Sequence, residues 1–220
     1  MDPLPEISGP VRPPAAGGAP GALVVLLHGW GADGNDLIGL APEWARLVPG
    51  ARFVSPHAPY VCDENPMGRQ WFSFADRDPR AIAEGAEHAG RTIDAFVDAE
   101  LAAAGLGDER LVLVGFSQGA MMALYVALRR ERTCAAVIGY SGALIGGETL
   151  PAELRVKPPV FLAHGDADPM VPFDSLATTV EALGALGVAV RWHAARGVGH
   201  AIDAEGIALG GEFMVNALGP

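Results

Sequence analysis

Six short runs along the chain are rich in apolar and β-branched residues: ALVVLL (22–27), RFVSP (52–56), RLVLVG (110–115), AAVIGYS (135–141), PVFLAHG (159–165) and VAVRWHA (188–194). Several are apolar without alternation, the pattern of strands covered on both faces, as in a parallel sheet with helices above and below. Between the runs the apolar spacing changes to three or four. Ile82, Ala86, Ala89, Ile93, Phe96, Val97 and Leu101 fall on one helical face, and Gly105 supplies the stop. Residues 118–130, 174–186 and 203–218 predict further helices. Strand and helix in alternation predict an α/β protein with an open, mostly parallel sheet. Ligands should bind at the carboxyl ends of its strands.

Residues 1–21 are rich in Pro and Gly and predict an irregular or edge-strand lead-in to one domain spanning 1–220. Two connections, 57–78 and 142–158, are longer than simple turns. Both follow a strand, so both are expected at the ligand-binding edge. Neither is long enough for a large lid domain, and an open cleft is expected.

Composition narrows the class. The chain has 220 residues, half of them hydrophobic, enough for one sizeable core. Its formal net charge of −11 disfavours nucleic acid and stable association with anionic membrane, because either partner would be repelled. No apolar run approaches the ~18 residues of a membrane span. The opening MDPLPEISGP lacks the basic and long apolar segments of a secretory signal, so a cytoplasmic location is expected. Cys62 and Cys134 have no metal-ligand spacing around them and are expected to be reduced thiols.

The sharpest local pattern is G-x-S-x-G at Gly115-Phe116-Ser117-Gln118-Gly119, with a buried strand before it and a helical pattern after it. A strand-to-helix turn this tight strains the serine and exposes its hydroxyl, and a Cβ at either flanking glycine would collide with the neighbouring strand and helix. A serine hydroxyl needs a base. In α/β sheets with such an elbow the chain order is Ser, then Asp or Glu, then His. Of the six histidines, only His193 and His200 satisfy that order. His193 lies inside a predicted strand, whereas His200 lies in the glycine-flanked loop RGVGHAID and is the expected base. The acid should follow the strand PVFLA, where HGDADPMVP offers Asp166 and Asp168. Asp168 is better placed to reach His200, and Asp166 to brace the turn. His28 and His164, each ending a strand before a glycine, are expected to be structural.

The stretch HGWGADG also spells G-x-G-x-x-G, the order of a dinucleotide loop. That reading needs an acidic residue ending the second strand, and FVSPHAP has none. A serine hydrolase instead needs two backbone N–H groups for the developing oxyanion. Gln118, after the serine, supplies one, and Trp30 in the glycine loop supplies the other. No metal or organic cofactor is required.

LLHGWGADGNDL, GRQWFSF, GFSQGAMMAL, HGDADPMVP and GHAID, in that order, resemble the phospholipase/carboxylesterase family of α/β-hydrolases, which includes the acyl-protein thioesterases. The resemblance extends from about residue 22 over nearly the whole chain. It implies the α/β-hydrolase fold, a Ser117–Asp168–His200 triad, an oxyanion hole from the Trp30 and Gln118 amides, and a homodimer as one conceivable assembly. Eukaryotic thioesterases usually carry Leu where this chain has Trp30. The bulkier side chain is expected to reshape the acyl site and bears against long-chain protein substrates.

The expected activity is hydrolysis of short- to medium-chain carboxylic esters through an acyl-enzyme. Thioesterase, lysophospholipase and a non-catalytic binding role are the alternatives. Met67, Trp71, Phe72, Phe74, Leu144, Ile145 and Met170 are expected to form the apolar substrate wall.

Overall fold

The structure, a computed structural model, describes residues 3–76 and 78–219. Its strands in chain order are β1 (Val11–Arg12), β2 (Ala22–Leu27), β3 (Ala51–Val54), β4 (Tyr60–Val61), β5 (Arg69–Gln70), β6 (Leu111–Phe116), β7 (Ala136–Tyr140), β8 (Val160–Gly165) and β9 (Val190–Ala195). The helices are α1 (Gly34–Leu37), α2 (Ala41–Trp44), α3 (Pro79–Ala104), α4 (Gln118–Ala127), α5 (Leu150–Glu153), α6 (Asp174–Ala185) and α7 (Ala204–Leu218). Seven strands make one sheet in the order β1-β3-β2-β6-β7-β8-β9, parallel except where β1 pairs with β3. A separate β4–β5 hairpin lies in the connection after β3.

The two-residue period of a strand divides the core in two. Leu23, Val25 and Leu27 of β2 belong to one cluster, with Ala86, Ala89 and Ile93 of α3 and Leu176 of α6. Val24 and Leu26 belong to the other, with Trp44 of α2 and Phe213 and Met214 of α7. β2, β7 and β8 are buried throughout, which is why their sequences do not alternate. β9 ends the sheet and is largely half-exposed or exposed.

Local chemistry sets the element ends. Asp78 caps α3 by accepting from the Arg80 N–H at 2.7 Å, and Gly105 closes the helix at φ 66°, in the left-handed region. The helix expected over 118–130 ends earlier, at Ala127. The reason lies in Arg130, whose buried guanidinium reaches Asp94, Asp98 and Asp108, so the chain must turn inward there. The last strand begins at Val190 rather than Val188, because Val188 is buried at the tight turn closing α6, just after Gly187 at φ 74°. The one-turn helices α1 and α2 and the hairpin fall in stretches whose Gly, Asn, Asp and Pro content predicts only loop.

Among the described residues no separate lid domain is present, and no helix is long and apolar enough to cross a membrane.

Candidate active site

Ser117 sits between β6 and α4 at φ 54°, ψ −120°, a conformation that costs an L-residue about 1–3 kcal/mol. The surroundings hold it there. Its N–H donates to the Tyr140 carbonyl at 2.8 Å, and its own carbonyl accepts from Ala120 and Met121. A Cβ on Gly115 would strike the backbone of Gly119, and one on Gly119 would strike the carbonyls of Leu27 and His28. Strand and helix therefore approach as closely as the elbow requires.

Asp168 stands in the turn after β8, with its side chain wholly buried. One carboxylate oxygen accepts from the Met170 and Val171 N–H groups at 2.8 and 2.9 Å. The other lies 2.7 Å from His200 Nδ1. Burial alone would raise this carboxyl. The hydrogen bond to His200 and those from Val171 and Met170 outweigh it and hold the group below the ordinary carboxylate range. An ionised carboxylate only accepts, so His200 Nδ1 carries a proton, and in the neutral tautomer this selects Nε2 is the nitrogen with the lone pair. Phe116, directly before Ser117, packs on the His200 ring with centroids 4.7 Å apart, which fixes the imidazole beside the elbow. The His200 loop crosses β8 where Gly165 permits it, since a Cβ there would meet the Val198 and Gly199 carbonyls.

Asp166, the other acid of the HGDADPMVP segment, accepts from the Gly197 N–H at 2.6 Å and ties the turn after β9. His193 faces Asp203 at 3.2 Å, away from this constellation. His164 is buried, with Nε2 3.0 Å from the Val171 carbonyl and 3.3 Å from the buried Asp168 oxygen that also faces His200.

The glycine loop after β2 presses against the elbow: a Cβ on Gly29 would stand 3.3 Å from Ser117 Cβ. Among the described residues neither the Trp30 nor the Gln118 backbone N–H donates to a protein acceptor, although Gln118 is fully buried. A helix leaves its first N–H groups without intrahelical acceptors, so the Gln118 amide at the start of α4 can meet an oxygen anion beside Ser117. The loop is braced from the hairpin. Trp30 Nε1 donates to Gln70 Oε1 at 2.7 Å, and Gln70 Nε2 donates to Asp63 Oδ1 at 2.9 Å. Across the same junction the Gly31 N–H donates to the Arg69 carbonyl at 2.9 Å, and the Arg69 N–H donates to the Ala32 carbonyl at 2.7 Å.

His28 anchors the loop to the segment after β3. Its Nε2 accepts from the Ala58 N–H at 3.0 Å, so Nδ1 is the protonated nitrogen and donates to the Gly29 carbonyl at 2.8 Å. Burial lowers this imidazole to about 4. Its folded value lies below the ordinary 6.5, so between the two it is the unfolded chain that takes up the proton. His28 therefore contributes its full stability above pH 6.5 and loses it as the pH falls to about 4. The loss is about 3 kcal/mol over that window. Urea unfolding at pH 7 and pH 4.5 should show a fall that is smaller in His28→Gln than in the parent. Equal falls would contradict it.

The expected substrate wall needs correction. Trp71 and Phe72 are buried at 0% and 2% exposure, and they support the site from below. Trp71 Nε1 donates to the His28 carbonyl and its N–H to Gln118 Oε1, both at 2.9 Å, while Gln118 Nε2 donates to the Phe72 carbonyl at 2.8 Å. These bonds need the β5 end of the hairpin to lie inside the fold, which apolar content alone does not reveal. Phe74 is half-buried and meets Trp30 edge-on at 6.0 Å. Leu144 and Ile145 are half-buried against the α3–α4 core. Met67 and Met170 are exposed at 90% and 65%. Gln70, Phe116 and the Gln118 side chain carry no motif of their own that marks these roles.

Gln118→Ala should leave the buried Trp71 N–H and Phe72 carbonyl unpaired and cost about 3 kcal/mol, read as a lower urea midpoint with unchanged slope. A midpoint within error of the parent would show the clamp to be dispensable.

Away from the site, His193, Asp203 and Glu205 bring ligand atoms within 4.8 Å of one another. Asp203 is already engaged there, accepting from the Gly206 N–H at 3.1 Å to cap α7.

The chain is similar to known proteins along most of its length. Residues 15–215 match the phospholipase/carboxylesterase family. Acyl-protein thioesterase 1 of Gibberella zeae is 29% identical over 200 residues, 81% of this chain and 83% of the relative. Acyl-protein thioesterase 1 of Schizosaccharomyces pombe is 32% identical over 160 residues, 69% and 70% of the two chains. The crystal structure of esterase PE8 superimposes with a TM-score of 0.92 at 44% identity, covering 96% of this chain and 99% of that one.

Proposed function

This chain belongs to the phospholipase/carboxylesterase family of α/β-hydrolases, and from that premise we propose that it is a serine carboxylesterase acting on short- to medium-chain esters. The observation that carries the reading is the strained Ser117 directly after Phe116, whose ring packs on a His200 with Nδ1 2.7 Å from a buried Asp168 carboxylate.

The proposed reaction is acyl transfer to water. Ser117 Oγ forms a bond to the ester carbonyl carbon while its proton passes to His200 Nε2. The Asp168 carboxylate stabilises the imidazolium, and the carbonyl oxygen, now negative, rests on the Trp30 and Gln118 amides. Each amide contributes about 3 kcal/mol to the transition state. The carbonyl–alkoxide bond then breaks, and His200 returns the proton to the departing alcohol oxygen. Water repeats the sequence on the acyl-serine and frees the acid. His164, hydrogen-bonded to the Val171 carbonyl, packs 3.3 Å from the same Asp168 oxygen and helps hold the turn in place.

The substrate class is supported by the esterase at 44% identity and by the bulk of Trp30 and Phe74 beside the oxyanion loop. The thioesterase relatives support a second reading, cleavage of acyl thioesters on proteins. Turnover of p-nitrophenyl butyrate, a butyryl thioester, a palmitoylated cysteine peptide and a lysolipid separates the two. The carboxylesterase reading expects the butyrate ester to have the highest kcat/KM. A preference for the palmitoylated peptide would replace it with the thioesterase reading.

A further inference from the structure

A cavity of about 300 Å³ opens on the face of His200 that Phe116 shares, lined by Asp36, Leu37, Leu40, Phe116, His200 and Ile202. We infer that this cavity receives the alcohol half of the ester, and that it selects apolar, uncharged or cationic alcohols over anionic ones. The inference rests on the carboxylesterase reading and adds to it the leaving group.

The assignment follows from where the proton must go. In the acylation step the alkoxide accepts a proton from His200, so its oxygen must lie within hydrogen-bond reach of that imidazole. The carbonyl oxygen of the same ester points to the Trp30 and Gln118 amides. His200 lines the cavity, whereas neither oxyanion residue does. A substituent on the leaving oxygen can therefore continue into this space, while the acyl chain departs from the carbonyl carbon on the side of Trp30 and Phe74.

The lining sets the preference. Leu37 is buried, and Leu40, Phe116 and Ile202 are half-buried, offering an apolar floor and sides. The exposed Asp36 carboxylate stands at the rim, and among the described residues no Lys or Arg lines the cavity. Asp33, one turn away, adds a second negative charge at the start of α1. An anionic alcohol would enter against both, and a hydrocarbon or a quaternary ammonium would not.

The test fixes the acyl group and varies the alcohol. Butyrate esters of methanol, benzyl alcohol, choline and glycolic acid all pass through one butyryl-serine, so differences in kcat/KM report acylation and leaving-group binding alone. The parent should favour benzyl over methyl and choline over glycolate, the latter preference shrinking at 1 M salt. Ile202→Trp should cut the benzyl-to-methyl ratio about tenfold while the ratio among p-nitrophenyl acetate, butyrate and octanoate stays as in the parent. Leu40→Trp, at a half-buried position, is the parallel variant should Ile202→Trp fold poorly. Asp36→Asn should reduce the choline-to-glycolate ratio roughly fivefold. If the tryptophan variants change the acyl-chain ratio and leave the alcohol ratio alone, the cavity holds the acyl group and the inference fails. An unchanged choline-to-glycolate ratio in Asp36→Asn overturns the charge selection. A folded parent that hydrolyses none of these esters overturns the carboxylesterase reading itself, a different outcome from a lost alcohol preference.

Discussion

Ser117→Gly is expected to lower kcat for p-nitrophenyl butyrate by about 100,000-fold or more while raising the unfolding free energy by about 1 kcal/mol. The two effects have one cause. At φ 54°, ψ −120° the serine is held where an L-side chain is strained, and glycine relieves that strain at a smaller cost in chain entropy. The hydroxyl removed is the group proposed to attack. Ser117→Ala should lose activity equally but gain no stability, because its Cβ keeps the strain. Circular-dichroism melting of the three proteins checks the second half. A glycine variant less stable than the alanine variant would show that the elbow stores no strain.

Asp168→Asn is expected to reduce kcat by about 10,000-fold with little change in KM. The Met170 and Val171 amides fix one oxygen, so the substituted amide nitrogen takes the position facing His200 Nδ1. An amide N–H there donates, which forces the proton of the neutral imidazole onto Nε2 and leaves no lone pair for the serine. The turn is preserved, so the melting temperature should move far less than in Asp168→Ala, where the two amides lose their acceptor. Steady-state kinetics with intact-mass detection of the acyl-enzyme separates the cases. A kcat within tenfold of the parent would mean that Asp168 does not set the tautomer.

The sheet is legible in the sequence because burial on both faces leaves runs such as ALVVLL and RLVLVG with no polar interruption. Asp168 and His200 could be selected by chain order and loop position, since strand-end loops of a parallel sheet gather on one edge. What escaped depends on contacts across the chain. Trp71 reads as part of a substrate wall in a long loop. Only its bonds to His28 and Gln118, 43 and 47 residues away, place it inside. Gln70 reads as a solvated polar residue until the hairpin folds against Trp30. Phe116 occupies the variable position of the G-x-S-x-G pattern, and its role as a support for the His200 ring is set by the loop after β9. α1 and α2 are each one turn long, too short for periodicity to separate from a turn.

The central claim is that the Ser117 hydroxyl is activated by the pair it sits beside. Reaction with a fluorophosphonate probe, followed by peptide mass mapping, tests it directly. One phosphonyl group should appear on the peptide containing Ser117, and labelling should fall at least a hundredfold in His200→Gln. Absence of label on the folded protein, label on another residue, or equal labelling of the His200→Gln variant would contradict the account.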